Sequence, residues 1–167
     1  MLTDEQWRFA LEDARTRHEA VVSLLYANDQ TAMSLLSLYV TLGLATVTGF
    51  IATLAKDSVV PIVFAIPLFF VTLDFALGSY FCLAAVKTSR VNMPGRNPDF
   101  WIWASQKDVT AEESYQQYLE NLKGKRALND DVNRESSVQL RRAKLCEAGA
   151  PFVALAAVLV MEGLKFV

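Results

Sequence analysis

Two long stretches of this chain are almost free of charge. Residues 30–55 run uncharged between Asp29 and Lys56, and residues 58–86 carry a single charge, Asp74. Each exceeds the roughly 20 residues a helix needs to cross a bilayer. Only Lys56 and Asp57 separate them, so they predict an antiparallel helical hairpin. Pro61 suits the first turn of the second helix, where a missing N–H is harmless. Pro67 lies deeper and predicts a kink. A third apolar run, 148–161, is short for a span. It reaches membrane length if Glu162 and Lys165 sit at the far interface, with Lys165 snorkelling. The alternative is a re-entrant or interfacial helix.

The flanking segments show a different period. Thr3 and Gln6 form a capping-box pattern. Trp7, Leu11, Ala14, His18, Val21, Leu25 and Asn28 then recur at steps of four and three, in phase with Ala32, Leu35 and Tyr39. This is a heptad seam on one long helix or two slightly bent ones, and it predicts packing against partner helices. After the second span, Pro94, Gly95 and Pro98 interrupt helix. A helix follows over 110–126, with Glu112 and Glu113 in its first turn and Lys123 and Lys125 in its last, as the helix dipole prefers. Asn129, Asp130 or Asp131 would cap a further helix leading into the third apolar run, bent at Pro151.

The predicted class is an all-α integral membrane protein. Residues 1–29 form a long cytosolic helix, 30–86 a two-span transmembrane hairpin, 87–147 a cytosolic helical segment, and 148–167 a third transmembrane segment. Composition agrees with a membrane class: 53% of residues are apolar, segregated into blocks, and mean hydropathy is +0.24. Fourteen of the 16 Lys and Arg residues fall in 1–29 or 87–147. The positive-inside rule puts both segments in the cytoplasm and the C-terminus outside. The net charge of −2 implies no bulk affinity for nucleic acid. The acidic N-terminus shows no cleavable leader.

Candidate chemistry is sparse. Asp74 is a carboxyl at membrane depth, where such groups face protein or water rather than lipid. Ser34, Ser37, Thr41, Ala45, Thr48 and Ala52 recur at helical steps in the first span. That stripe is either a close-packing face or the lining of a water-filled path between assembled subunits. Arg141, Arg142 and Lys144 would meet anionic headgroups or the phosphate of a nucleotide. Phe100, Trp101 and Trp103 cluster where an interfacial belt, helix packing or base stacking are all open. His18, the sole histidine, is a half-buried packing residue or a pH-sensitive contact between subunits. Cys82 and Cys146 are expected as buried thiols. No phosphate loop, HExxH, CxxC pair or nucleophile elbow is present. No enzyme, cofactor or metal site is expected.

The order of elements carries a resemblance. A cytosolic helix leads into ANDQTAMSLLSL (27–38), a tight hairpin, PGRNPDFWIWA (94–104), a Tyr-rich helix EESYQQYLENL (112–122) and RRAK (141–144) before the last apolar run. This resembles the bacterial Pycsar-type transmembrane effectors, and more broadly the small SLATT-type membrane effectors of anti-phage systems. Asp29 falls on an acidic position of that family, whereas Thr31 stands where lysine is common and Phe100-Trp101 where Phe-Phe is common. The resemblance implies an abortive-infection effector of the inner membrane. It would be an oligomeric, channel-like protein triggered by a nucleotide signal from a partner cyclase or nucleotidyltransferase. In that reading Arg141, Arg142, Lys144, Trp101 and Trp103 sense the nucleotide, and Asp74, Ser34, Ser37, Thr41 and Thr48 serve ion passage. The rival expectation is a non-conducting membrane adaptor that scaffolds a cytosolic partner.

Overall fold

The computed structural model describes residues 3–55, 64–86, 91–93 and 95–164. It is all-helical, 90% helix, with no strand among the described residues. Four helices make up the chain: α1 (Asp4–Leu54), α2 (Ala65–Val86), α3 (Pro98–Ala104) and α4 (Ala111–Leu164). α1, α2 and α4 are each long and apolar enough to cross a membrane. The Thr3–Gln6 capping box forms, each side chain bonding the other's backbone N–H at 3.3 and 2.9 Å. A second box starts α4. Thr110 donates its N–H and hydroxyl to Glu113 at 2.8 and 2.9 Å, and Glu113 returns its N–H to Thr110 Oγ1 at 3.2 Å.

The chain divides into two compact units. The first holds Met1–Ala27 and Ser89–Glu135; the second holds Asn28–Thr88 and Ser136–Val167. α1 and α4 contribute to both.

The second unit contains the apolar parts of α1, α2 and α4. α2 runs antiparallel to α1. A Cβ on Gly49 would touch Leu68, the Thr46 and Thr72 hydroxyls lie 2.9 Å apart, and Tyr39 packs on Gly78. α4 runs parallel to α1, with Asn28 bonded to Ser137 and the Tyr39 hydroxyl donating to the Ala143 carbonyl. Tyr39 and Phe75 centre a core closed by Cys82, Ala143 and Ala150. Ala32, Ala85 and Leu140 form a second cluster. Several of these contacts, Gly49–Leu68, Thr46–Thr72, Tyr39–Gly78 and Tyr39–Ala143, have glycine, alanine or threonine on at least one side. That suits helices in lipid, where close van der Waals approach replaces the hydrophobic drive.

In the first unit the heptad seam is turned inward. Trp7, His18, Val21 and Leu25 are buried, and Leu11 and Ala14 partly so. The seam's partner is α4 of the same chain: Trp7 stacks on Tyr115 at 5.8 Å. A polar knot fixes the loop before α3. Asn129, fully buried, accepts the Asn92 N–H at 2.9 Å and donates to the Asn92 carbonyl at 3.0 Å. The His18 Nε2–H donates to the same carbonyl at 2.8 Å. Lys125 bonds the Met93 and Gly95 carbonyls, where Gly95 takes a left-handed φ of 111° that favours glycine.

Two expectations change. α4 is unbroken through Asn129, Asp130 and Asp131, so no helix is capped there. Asn129 is spent on tertiary bonds instead. Pro67 is the third residue of α2, within the first turn, where no intrahelical N–H is lost. The heptad seam packs against a partner helix, as expected, and that helix is α4 of the same chain. Lys56, Asp57, Pro61, Pro94 and Lys165 lie outside the described residues. Cys82 and Cys146 are buried free thiols, as expected.

Two measurements check this packing. A Cβ on Gly78 would lie 2.8–3.0 Å from the Tyr39 ring, which its hydroxyl bond holds in place. Gly78→Ala should cost about 1–3 kcal/mol, whereas Gly124→Ala, with nothing within 4 Å of its new methyl, should gain about 0.5–1 kcal/mol. Thermal unfolding in detergent reads both. The Thr110 bonds also hold the exposed Glu113 carboxyl below its ordinary pKa of 4.5. Their contribution is complete above that value and lost as pH falls through the lower folded-state value. Amide exchange at Glu112–Ser114, corrected for intrinsic rates, should show acid fraying of α4 that Glu113→Gln largely removes.

Candidate functional site

Helical geometry separates two faces on α1 that alternate closely in sequence. Ala32, Tyr39, Gly43, Thr46, Gly49 and Thr53 point to the neighbouring helices and are buried or partly buried. Ser34, Ser37, Thr41, Ala45 and Thr48 are all exposed, and Ala52 partly so. The packing face and the hydroxyl stripe are therefore different sets. Ser34, Thr41 and Thr48 each donate to the carbonyl four residues back, at 2.9, 2.8 and 2.9 Å. Their hydrogens are satisfied by their own helix. Their oxygens still accept bonds from water or from another chain. The stripe also offers small side chains for close approach of a second helix.

Asp74 lies on another face. It is the tenth of the 22 residues of α2. On its side of the helix, Ile66 and Phe70 face Val153, Ala156 and Val160 of α4. Farther along, the Arg142 guanidinium sits 5.8 Å from the Phe81 ring. The antiparallel register these pairs define sets Asp74 level with residues 146–150, within electrostatic reach of Cys146. A Cβ on Gly149 would meet nothing within 4 Å. Asp74 Oδ2 is buried and has no hydrogen-bond partner among the described residues. Asp74 forms no ion pair among them either; the three present join Asp13–Arg17, Arg126–Asp130 and Asp131–Arg134. The carboxyl thus belongs to the packing of α2 on α4, and the hydroxyl stripe does not include it.

The basic trio is exposed on α4 within the second unit. Arg142 reaches Gln139 at 3.4 Å, and Arg141 and Lys144 form no ion pair among the described residues. Trp101 and Trp103 belong to the first unit. There Phe100 packs on Trp101, Trp103 and Tyr118 with centroids 5.2–5.9 Å apart. The two groups expected to sense a nucleotide together are therefore carried by different units. His18 is fully buried, held by the Asn92 carbonyl, with Nδ1 unpartnered among the described residues. No group of His, Cys, Asp and Glu suited to a metal occurs among the described residues.

Sequence reading missed Thr46, Thr72 and Gly78, which set the helix spacing in the apolar unit. A signal existed: Tyr39, Gly43, Thr46 and Gly49 recur at steps of four and three, one or two residues beyond Ser37, Thr41, Ala45 and Thr48 of the stripe. The burial of Asn129 was missed because a polar residue followed by Asp130 and Asp131 gives no hint of it.

No protein-family model, curated protein or solved structure matches this chain.

The Asp74 environment makes a test. A buried carboxyl oxygen without a donor lowers stability, so Asp74→Asn and Asp74→Leu should melt at or above the wild-type temperature in detergent. A loss above about 1 kcal/mol would reveal a bonding partner instead.

Proposed function

We propose that this chain is a channel-like effector of the bacterial inner membrane, assembled from several copies and opened by a nucleotide signal during anti-phage defence. The observation that carries this reading is the exposed hydroxyl stripe of α1. Within the apolar unit, α1 uses one face for α2 and α4 and leaves Ser34, Ser37, Thr41 and Thr48 unused. Three spans cannot enclose a pore, so copies would surround an axis with this face inward. Small side chains let helices approach, and hydroxyl oxygens replace part of an ion's water shell.

In this arrangement α1 and α4 start on the cytoplasmic side and α2 returns to it. The parallel course of α1 and α4 fits the concentration of Lys and Arg in 1–29 and 87–147. The C-terminus then lies outside. Asp74 sits within the resting packing of α2 against α4, and its oxygen without a donor among the described residues makes that packing easy to loosen. Arg141, Arg142 and Lys144 flank the third span on its cytoplasmic side and meet the phosphates of lipid headgroups. A partner cyclase or nucleotidyltransferase supplies the signal.

The test is ion flux through liposomes bearing the purified protein, with and without cyclic mononucleotides and cyclic dinucleotides. Flux should rise with one class of nucleotide. Ser37→Leu and Thr41→Leu should reduce it at least tenfold while leaving the melting temperature within a few degrees. No flux with any nucleotide, together with a protein that co-purifies stoichiometrically, would replace this reading with the adaptor.

A further inference from the structure

The first unit holds a cleft that includes Trp101 of the expected nucleotide-sensing set but none of its basic residues. α1, α3 and α4 enclose it, and its volume is about 170 Å³. Phe100, Trp101, Tyr115 and Tyr118 line it with rings, and Arg15 and Ser114 supply its polar edge. Pockets for drug-sized ligands start at about 300 Å³, so this one takes a single ring system and leaves the rest of a ligand outside.

The rings are held in place from behind. Trp7 stacks on Tyr115 at 5.8 Å. The Arg96 guanidinium lies 4.3 Å from the Phe100 centroid and 5.1 Å from that of Tyr118. Arg96 is itself anchored by donating to the Gln117 carbonyl at 2.7 Å. Fixed aromatic planes bind a flat ring with little ordering cost. Trp101 is kept 59% exposed at the mouth, although Phe100 beside it is packed on Tyr118. Trp101 meets Phe100 edge-on at 5.2 Å and Tyr118 at a tilt at 6.3 Å, and the rest of its indole stays open for stacking.

The charge at the edge narrows the ligand. Arg15 makes no ion pair among the described residues, so its guanidinium can meet an anion. Glu12 and Glu19 flank it on the same helix. The two carboxylates offset the local positive charge, so a polyphosphate is disfavoured and a phosphodiester of single charge is held only by its direct pair with Arg15. The Ser114 hydroxyl, which donates to the Thr110 carbonyl at 3.1 Å, keeps its lone pairs to accept a bond from a base amino group.

We propose that this cleft binds a nucleotide phosphodiester, with its base stacked on Trp101 among Phe100, Tyr115 and Tyr118 and its phosphate paired with Arg15. The proposal rests on the nucleotide-gated reading above, and it moves recognition from the basic trio of the second unit to the first.

The experiment uses the full chain in detergent, titrated with 3′,5′-cyclic mononucleotides and cyclic dinucleotides. Tryptophan fluorescence reports on wild type, and calorimetry covers the variants. Saturable quenching is expected with at least one of these nucleotides, and weaker binding with the matching triphosphate. Trp101→Ala and Arg15→Ala should each weaken binding about tenfold or more. Trp101→Phe and Arg15→Lys should restore part of it, and Arg142→Ala should leave it unchanged. Trp101 and Arg15 are surface side chains, so circular dichroism of the variants should match wild type. Unchanged binding in Trp101→Ala and Arg15→Ala, loss in Arg142→Ala, or no binding of any nucleotide up to about 1 mM would overturn the site. Flux in liposomes separates the two claims. Nucleotide that binds the cleft without opening a path sinks the channel and leaves the site. Nucleotide that opens a path with normal affinity in both cleft variants sinks the site and leaves the channel.

Discussion

Tyr39 is the contact on which the apolar unit depends. Its ring lies flat enough on Gly78 that no larger residue fits beneath it, and its hydroxyl reaches the Ala143 carbonyl. One side chain thereby fixes the spacing of α1 and α2 and the depth of α4. A bilayer gives no apolar drive to bring helices together. Specific shape must do it, and a large ring over a glycine is shape that only one register satisfies. Moving α2 by one residue would replace Gly78 with Leu77 or Ser79 under the ring. The Thr46–Thr72 pair and the Gly49–Leu68 contact follow from that register, since both lie on the same antiparallel line.

The unit outside the spans is held by other means. Water competes for its polar groups, so order there comes from buried amides and backbone acceptors that have no alternative once enclosed. Asn129 uses both ends of its amide on Asn92, and His18 adds a second donor to the same carbonyl. Lys125 and Arg96 tie the following residues to α4 through carbonyl groups. A loop with Gly95 in a left-handed turn would otherwise be free to move. These straps aim α3, and α3 sets the aromatic rings.

Much of this was legible in the chain. Charge-free runs and the Lys and Arg distribution mark apolar helices, and those patterns survive because lipid penalises every exception. The seam from Trp7 to Tyr39 was readable because burial repeats every three to four residues whatever the partner is. What the seam could not say was which helix covers it, since a heptad fits a neighbour in the same chain as well as another copy. Asn129 was misread for a related reason. Asn, Asp and Asp in succession favour helix starts when solvated, yet nothing local reveals that a loop far away in sequence needs the Asn129 amide. Pro67 was misread through length alone, because α2 is described from Ala65 and a proline in the first turn removes no bond. Gly78 gave no signal, since a glycine in an apolar helix is common and its reason is the ring above it.

The separation of Asp74 from the hydroxyl stripe changes what an intramembrane carboxyl means here. A charge lining a conducting path needs water or a counter-ion beside it. Asp74 instead points one oxygen into a packed seam with no donor among the described residues. Around it α4 carries Cys146, Gly149 and Ala150, residues too small or too weakly polar to answer it. The arrangement stays bound because the neighbouring contacts, Phe70 against Val153 and Phe81 beneath Arg142, are apolar or rim-like and indifferent to the carboxyl. A seam built this way is stable as a whole and weak at one point. Under the gating proposed above, that weak point is where α2 and α4 would part.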